Sequence, residues 1–358
     1  MFFKVEELMN RIILSLVMML AALTLCVQAD EPGTLQFASL GDFKLESGET
    51  IRDCKIGYRT FGALNPDKSN AVLFPTWFSG KSENLAGNIG SGKTPGRMVD
   101  TDRFFVIAVD ALGNGVSSSP SNSPQQAGDS FPRFTIRDLV NSQYQLVTQT
   151  LGLKHLAAVI GISMGGMQTF QWMVQYPDFM DKAVPIIGTT TQTAYDLLLW
   201  EAELRAIEGA RKGPTNEIDV SAAARTVAHI HALALFTPRQ RNLLTTAREF
   251  QSFIKQEEEN YEKTFKPHDW ASQLRAMMAH DVSKTFDGSM VAAAAAVKAK
   301  TLVVVSVQDH MVNPDPAIAF AKLIKAERLE LSGDCGHMAT SCENNTVVAV
   351  IRYFLNQK

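Results

Sequence analysis

Short apolar runs alternate with longer amphipathic segments along most of the chain. The apolar runs occupy residues 71–74, 104–109, 156–160, 183–187, 301–305 and 329–331. Runs of this length without a polar face are typical of strands that are buried on both sides. Between the runs, apolar residues recur at helical spacing, as they do in residues 136–151, 167–174 and 347–355. This alternation predicts an α/β fold with a mostly parallel sheet that helices cover on both faces.

Two stretches depart from this alternation. Residues 35–60 alternate loosely between apolar and polar positions, which predicts leading antiparallel strands. Residues 189–297 keep helical periodicity and contain no convincing strand, which predicts an inserted helical cap. We therefore expect a core of residues 30–188 and 298–358 with a cap at residues 189–297. A cap over such a sheet shapes the substrate pocket and excludes water from it.

The N-terminus has the pattern of a secretory signal. Arg11 precedes an apolar run at residues 12–27, and Val27-Gln28-Ala29 then supplies small residues at the usual cleavage positions. The run is shorter than the roughly 20 apolar residues that a spanning helix needs. We expect residues 1–29 to be a signal peptide and the mature protein to be periplasmic or secreted. An uncleaved membrane anchor is the alternative.

Composition adds few constraints. Of 358 residues, 46% are hydrophobic and 20% charged, which is ordinary for a globular protein and excludes a disordered chain. A formal net charge of -3 gives no reason to expect nucleic acid or an anionic membrane as a partner. His229 and His231 are two residues apart and fall on different faces of a helix, so they do not predict a metal site. We expect neither metal nor cofactor.

The strongest chemical signal is Gly161-Ile162-Ser163-Met164-Gly165, which lies between a predicted strand and a predicted helix. Strand, Gly-x-Ser-x-Gly and helix form the layout of a nucleophile elbow. In this turn the serine hydroxyl is presented at the carboxyl end of the sheet, beside the first N–H groups of the helix. The pattern predicts Ser163 as a catalytic nucleophile.

A serine nucleophile needs a base and an acid that orients the base, and in this layout they follow it along the chain. Asp309 follows one late strand and His337 follows the next, so both are predicted at the same edge as Ser163. Asp315 and Asp334 are the rival acids. The competing histidines lie next to the acid, before the elbow strand or in the cap, namely His310, His155, His229, His231, His268 and His280.

An acyl-transfer site also needs two N–H groups aimed at the oxyanion. The residue after the nucleophile, Met164, is expected to supply one of them. The loop after residues 71–74 is expected to supply the other, and Phe78 is its best candidate, with Ser79-Gly80 forming the bend.

Cysteine spacing leaves two alternatives open. Cys335 and Cys342 bracket His337, and in an oxidising compartment they could close a small loop around it. They could equally be two unpaired thiols in a packed turn.

Several of these stretches resemble the homoserine O-acetyltransferase family of α/β-hydrolase-fold enzymes. The similarity is carried by residues 134–140, the elbow at 161–168, Tyr176-Pro177-Asp178, residues 110–113, residues 273–277 and His280-Asp281-Val282. It implies Ser163 as nucleophile, Asp309 and His337 as its partners, Phe78 and Met164 as oxyanion donors, and allows a homodimer through the cap. The family typically has Gly-His-Asp at the catalytic histidine, and this chain has Gly336-His337-Met338.

The missing carboxylate is the one expected to hold the amino group of homoserine, and acetyl-CoA is a cytosolic metabolite. The sequence therefore favours an exported hydrolase of small-molecule acyl esters over an acyl-CoA-dependent acyltransferase. A non-catalytic binding protein on the same fold is a third hypothesis.

Overall fold

A sheet of eight strands organises the computed structural model, which describes residues 33–357. The strands are β1 (Gln36–Lys44), β2 (Thr50–Phe61), β3 (Ala71–Pro75), β4 (Ile89–Gly90), β5 (Val99–Asp100), β6 (Phe105–Val109), β7 (Leu156–Ile162), β8 (Met180–Ile186), β9 (Arg211–Lys212), β10 (Glu217–Ile218), β11 (Lys300–Ser306) and β12 (Glu327–Leu331). The main sheet has the order β1-β2-β6-β3-β7-β8-β11-β12. β1 and β2 are antiparallel to their neighbours, and the pairs from β6 to β12 are parallel.

Helices connect the parallel strands and cover the sheet. They are α1 (Ser82–Leu85), α2 (Ile136–Gln145), α3 (Met164–Gln175), α4 (Ala194–Gly209), α5 (Val220–Leu235), α6 (Pro238–Leu244), α7 (Phe250–Thr264), α8 (Pro267–Met278), α9 (Met290–Ala296), α10 (Asp315–Leu323), α11 (Ala339–Cys342) and α12 (Asn344–Asn356). The α/β-hydrolase architecture expected from the sequence is confirmed.

Successive residues of a central strand enter two different hydrophobic layers, because side chains alternate between the faces of a sheet. Leu73 of β3 belongs to the same buried cluster as Phe170 of α3 and Phe320 of α10. The next residue, Phe74, belongs to a second cluster with Phe354 of α12. Burial on both faces explains why these strands are continuous apolar runs without alternation.

Most of the helices between β8 and α9 contact chiefly other helices of the same segment. Helices α4, α5, α7 and α8 pack mainly against one another, with α5 contacting α4, α7 and α8. The only strands found there within residues 33–357 are β9 and β10, two residues each. α9, which falls inside the expected cap, packs on α3 and α10. The division into core and cap at residues 189–297 stays a prediction.

The proposed signal peptide at residues 1–29 lies outside the described residues. Within residues 33–357, no helix combines the length and the apolar character that crossing a membrane requires.

A buried histidine joins the end of α8 to the segment that leaves β8. His280 lies 3.0 Å through its Nε2 from the carbonyl oxygen of Thr189, and the N–H of Val282 donates to the carbonyl of Thr190. The imidazole is 4% exposed, and burial lowers the pKa of His280 from 6.5 to about 4. The folded protein therefore holds this side chain as neutral imidazole at neutral pH.

We predict that acidification destabilises the fold through His280. Below pH 6.5 the unfolded chain takes up a proton here while the folded chain does not, so stability falls between about pH 6.5 and 4. The loss from this one group amounts to about 3 kcal/mol. Urea unfolding at several pH values should show a shallower decline for His280→Gln than for the wild type. The exposed-site control His155→Gln should retain the wild-type slope, and equal slopes for wild type and His280→Gln would contradict the assignment.

Candidate active site

Ser163 lies at the sharp turn between β7 and α3. Its φ of +58° falls in the left-handed region, which is strained for a residue with a side chain. A Cβ added at Gly161 would lie 2.1 Å from the carbonyl oxygen of Gly165, and one added at Gly165 would lie 2.7 Å from that of Pro75. The two glycines of the motif are therefore required because the helix starts directly against the sheet.

The structure brings the three predicted residues together. His337 Nε2 is 2.9 Å from Ser163 Oγ, and His337 Nδ1 is 2.7 Å from Asp309 Oδ2. Asp309 lies in the loop after β11 and His337 in the loop after β12, so both reach the same sheet edge as the serine. The side chains of His337 and Asp309 are only 7% and 1% exposed. Water therefore competes little for these two hydrogen bonds.

The carboxylate of Asp309 is held by its own loop. Its Oδ1 accepts hydrogen bonds from the N–H groups of Met311 at 2.8 Å and Val312 at 3.0 Å. These donors leave Oδ2 for the imidazole and stabilise the negative charge in a buried position. The arrangement suits an acid that orients a base without taking its proton.

The rival residues have other partners. Asp334 pairs with Arg239 at 3.0 Å, and Asp315 begins α10. The histidines His155, His229 and His268 pair with carboxylates, at Asp181, Glu258 and Asp129 respectively. None of the rivals forms a hydrogen bond with Ser163 in the described part of the chain.

The two predicted oxyanion donors have unoccupied N–H groups. Met164 is the first residue of α3, and its N–H has no acceptor within residues 33–357; the same holds for Phe78. The Phe78 ring is 7% exposed and packs edge-on against Trp270, with ring centroids 4.5 Å apart. Side-chain packing and a free backbone amide therefore coexist at Phe78.

Two glutamines hold the loop that contains Phe78 in place, and the sequence predicts no role for either of them. Gln273 of α8 accepts from the N–H of Ser79 at 2.8 Å and donates to the carbonyl of Leu112 at 2.9 Å. Gln168 of α3 donates to the carbonyls of Thr76 at 3.0 Å and Met164 at 3.1 Å. Gln168 lies one helical turn beyond Met164, and both glutamines fall in stretches that resemble the homoserine O-acetyltransferase family, but neither feature predicts a role for them.

A cavity of about 310 Å³ adjoins Ser163 and His337. Residues of α4, α5 and α8 form part of its wall, and most of the lining is apolar. The apolar lining residues include Trp77, Phe78, Trp200, Leu235, Met277, Met311 and Met338. A mostly apolar cavity with a few polar groups suits a small organic ligand. Within residues 33–357, no cluster of side chains has the composition of a metal site.

A disulfide joins Cys335 to Cys342 and closes the loop that carries His337. Of the two alternatives that the spacing left open, the structure has the bridge. Cys54 is free and buried, and burial raises the pKa of its thiol to about 12. Such a thiol is not a nucleophile at neutral pH.

Comparison with known proteins agrees with this architecture. A family model described as the α/β hydrolase fold matches residues 87–340. The chain is 32% identical to the ethyl acetate hydrolase of Pseudomonas veronii, over 86% of this chain and 90% of that one. It is 30% identical to the homoserine O-acetyltransferase of Methanococcoides burtonii, over 88% and 72%. The solved structure of the acetyl esterase MekB superposes with a TM-score of 0.83 at 30% identity, covering 91% of this chain and 97% of that one.

Proposed function

The chain belongs to the α/β-hydrolase family, as an esterase-like or homoserine O-acetyltransferase-like acyl-transfer enzyme, and we propose that it is an exported ester hydrolase acting through an acyl-enzyme. The observation that carries this proposal is the continuous hydrogen-bonded chain from Asp309 through His337 to Ser163, at the wall of an apolar cavity. In this arrangement His337 can act as a base toward the hydroxyl of Ser163, and the carboxylate of Asp309 orients His337.

In the proposed acylation step, Ser163 Oγ attacks the ester carbonyl carbon while His337 Nε2 takes the hydroxyl proton. The carbonyl oxygen becomes an oxyanion and accepts hydrogen bonds from the N–H groups of Phe78 and Met164. When the tetrahedral intermediate collapses, His337 gives the proton to the leaving alcohol. Asp309 keeps Nδ1–H oriented and stabilises the imidazolium throughout.

Deacylation repeats these steps with water as the nucleophile. His337 takes a proton from water, hydroxide adds to the acyl carbon, and Ser163 leaves with the proton returned by His337. The products are a carboxylic acid and the free serine. The proposal assigns no step to a cofactor or metal.

Water as the acceptor is supported by the residue after the catalytic histidine. Met338 lies there, in the cavity wall, where the acetyltransferase family typically has an aspartate. A thioether offers no negative charge to an amino group, so an amino-acid acceptor loses its expected ion pair. The ethyl acetate hydrolase and the solved structure of the acetyl esterase MekB, each similar to this chain along most of its length, carry esterase names.

Acyl transfer from acyl-CoA to homoserine is the second candidate, and the 30% identity to a homoserine O-acetyltransferase favours it. The distinction between the two candidates depends on which nucleophile reaches the acyl-enzyme. A non-catalytic binding protein, the third hypothesis, would not need the short contact between His337 Nε2 and Ser163 Oγ.

Export is supported by the signal-like N-terminus and by the disulfide beside the active site. Structural disulfides form and persist in oxidising compartments and are rare in the cytosol. The Cys335–Cys342 bridge thus supports a periplasmic or secreted location.

Triad variants should separate the roles of the three residues. We expect Ser163→Ala to lower kcat for p-nitrophenyl acetate by about 10⁵–10⁶, since the nucleophile is lost. Asp309→Asn should cost about 10⁴, because an amide favours the wrong histidine tautomer. Asp315→Asn, the matched acid control at the start of α10, should retain near-wild-type kcat. Near-wild-type activity in either triad variant would reject the assignment.

Acceptor choice is tested by giving the purified mature protein two reactions in parallel. We expect p-nitrophenyl acetate to be hydrolysed without CoA, and no O-acetylhomoserine to form from acetyl-CoA and homoserine. Product analysis by mass spectrometry measures both. If acetylhomoserine formed faster than the ester was hydrolysed, acyl transfer to homoserine would become the favoured function and ester hydrolysis the second candidate.

Export predicts a processed N-terminus. Intact-mass measurement on protein recovered from a periplasmic or culture fraction should place the first residue near Asp30. Recovery of the chain from the cytosolic fraction, with its first residues retained, would contradict export. It would leave the proposed ester hydrolysis unaffected.

A further inference from the structure

A second buried histidine–carboxylate pair lies in the cap, apart from the triad. His231 Nδ1 on α5 is 2.9 Å from Glu203 Oε1 on α4, and Trp270 Nε1 on α8 donates to Glu203 Oε2 at 2.9 Å. Glu203 is 0% exposed and His231 is 9% exposed. Glu203 forms an ion pair with no lysine or arginine in the described part of the chain, and the hydrogen-bond partners of its carboxyl group there are His231 and Trp270. The proposed mechanism gives this pair no role.

The other ring nitrogen of His231 is open to the cavities. Nε2 has no hydrogen-bond partner within residues 33–357. Ser306 Oγ is the one fully buried side-chain polar atom left unpaired in that range, so His231 Nε2 retains accessible surface. His231 lines the cavity of Ser163 and also a neighbouring cavity of about 650 Å³. His231 therefore lies in the wall shared by two cavities, with one ring nitrogen that has no partner among the described residues.

The surroundings of His231 are aromatic. Its ring centroid is 6.1 Å from that of Phe78 and 5.5 Å from that of Trp270. Phe78 is also the proposed oxyanion donor, so a substrate held at Ser163 lies close to this wall. A hydrogen-bonding group among aromatic rings discriminates strongly between ligands, because a ligand without a matching group leaves it unpaired.

The charges at this wall decide which polar group fits. The carboxyl group of Glu203 already faces His231, and the cavity of Ser163 is lined by no lysine or arginine among the described residues. Inside that cavity a carboxylate on the substrate would find no uncompensated positive charge, whereas Lys81, Lys263 and Lys266 line the neighbouring cavity. A hydroxyl is neutral and both donates and accepts, so it can pair with Nε2 whether or not that nitrogen carries a hydrogen.

We propose that His231, oriented by Glu203, binds a hydroxyl group of the substrate, so that the preferred substrates are hydroxyl-bearing esters. This inference rests on the proposed ester hydrolysis and names the substrate class of that site. The hydroxyl belongs either to the acyl chain or to the alcohol, and the test has one arm for each.

The test uses pairs of esters in which a hydroxyl replaces a methyl group. The acyl arm compares p-nitrophenyl β-hydroxybutyrate with p-nitrophenyl isovalerate, and the alcohol arm compares ethylene glycol monoacetate with propyl acetate. The readout is the ratio of kcat/KM for the hydroxyl ester to that for its methyl counterpart. Comparing this ratio between variants cancels the intrinsic reactivity of each ester and any general loss of active enzyme.

We expect His231→Phe and His231→Leu to lower this ratio about 10-fold in one arm, which identifies the hydroxyl's position. His231→Gln keeps a hydrogen-bonding group and should lower it less. His229→Leu is the matched control, because His229 lies on the same helix, is paired with Glu258 and is more exposed; it should leave the ratio unchanged. Both His231→Phe and His231→Leu are made, so that the test can be carried out if only one of them folds.

An unchanged ratio in both arms for a folded His231 variant would overturn the proposal. The proposed function fails separately, if the wild-type protein hydrolyses none of these esters, nor p-nitrophenyl acetate. Wild-type hydrolysis of the plain esters with no effect of His231 on the ratio rejects the hydroxyl subsite alone.

Discussion

The hydrogen bond between His337 Nε2 and Ser163 Oγ, 2.9 Å long, is the interaction on which the rest of the site depends. It joins residues 174 positions apart in the chain, so only the tertiary fold can make it. The parallel strands make this contact possible, because the carboxyl ends of β7, β11 and β12 lie at the same edge of the sheet. Ser163 follows β7, Asp309 follows β11 and His337 follows β12. Burial of the Asp309–His337 pair then keeps water from replacing either hydrogen bond.

The proposed oxyanion stabilisation places a second demand on the fold, because donors must be fixed before charge develops. Gln168 ties the end of β3 to the first turn of α3, and Gln273 ties the next part of the same loop to α8. One glutamine lies on α3 and the other on α8. Helix α8, which falls inside the predicted cap, therefore contributes to the geometry of the site as well as to the walls of the cavity.

Much of this arrangement could be predicted from the sequence because it depends on local patterns. Buried parallel strands are continuous apolar runs, and the elbow is a five-residue motif whose glycines meet neighbouring backbone at 2.1 and 2.7 Å. Residues that follow parallel strands lie at one sheet edge, which is why the strand pattern predicts Asp309 and His337 beside Ser163. The disulfide was not decided by spacing, since a seven-residue separation permits both a bridge and two thiols.

The contact between Glu203 and His231 could not be predicted from the sequence, for a physical reason. Glu203 and His231 belong to different helices, and their contact depends on how those helices fold back on each other. Periodicity identifies a buried helix face but not the partner that the face meets. Gln273 similarly acts on a loop 194 residues away.

The most direct test of the central claim is the position of a covalent adduct. A fluorophosphonate reacts with an activated serine and leaves a mass tag on it, which peptide mapping can locate. The account predicts one adduct, on the peptide that contains Ser163, with labelling slowed by orders of magnitude in His337→Ala. An adduct on a different residue, or ester hydrolysis that persists while Ser163 stays unlabelled, would contradict it.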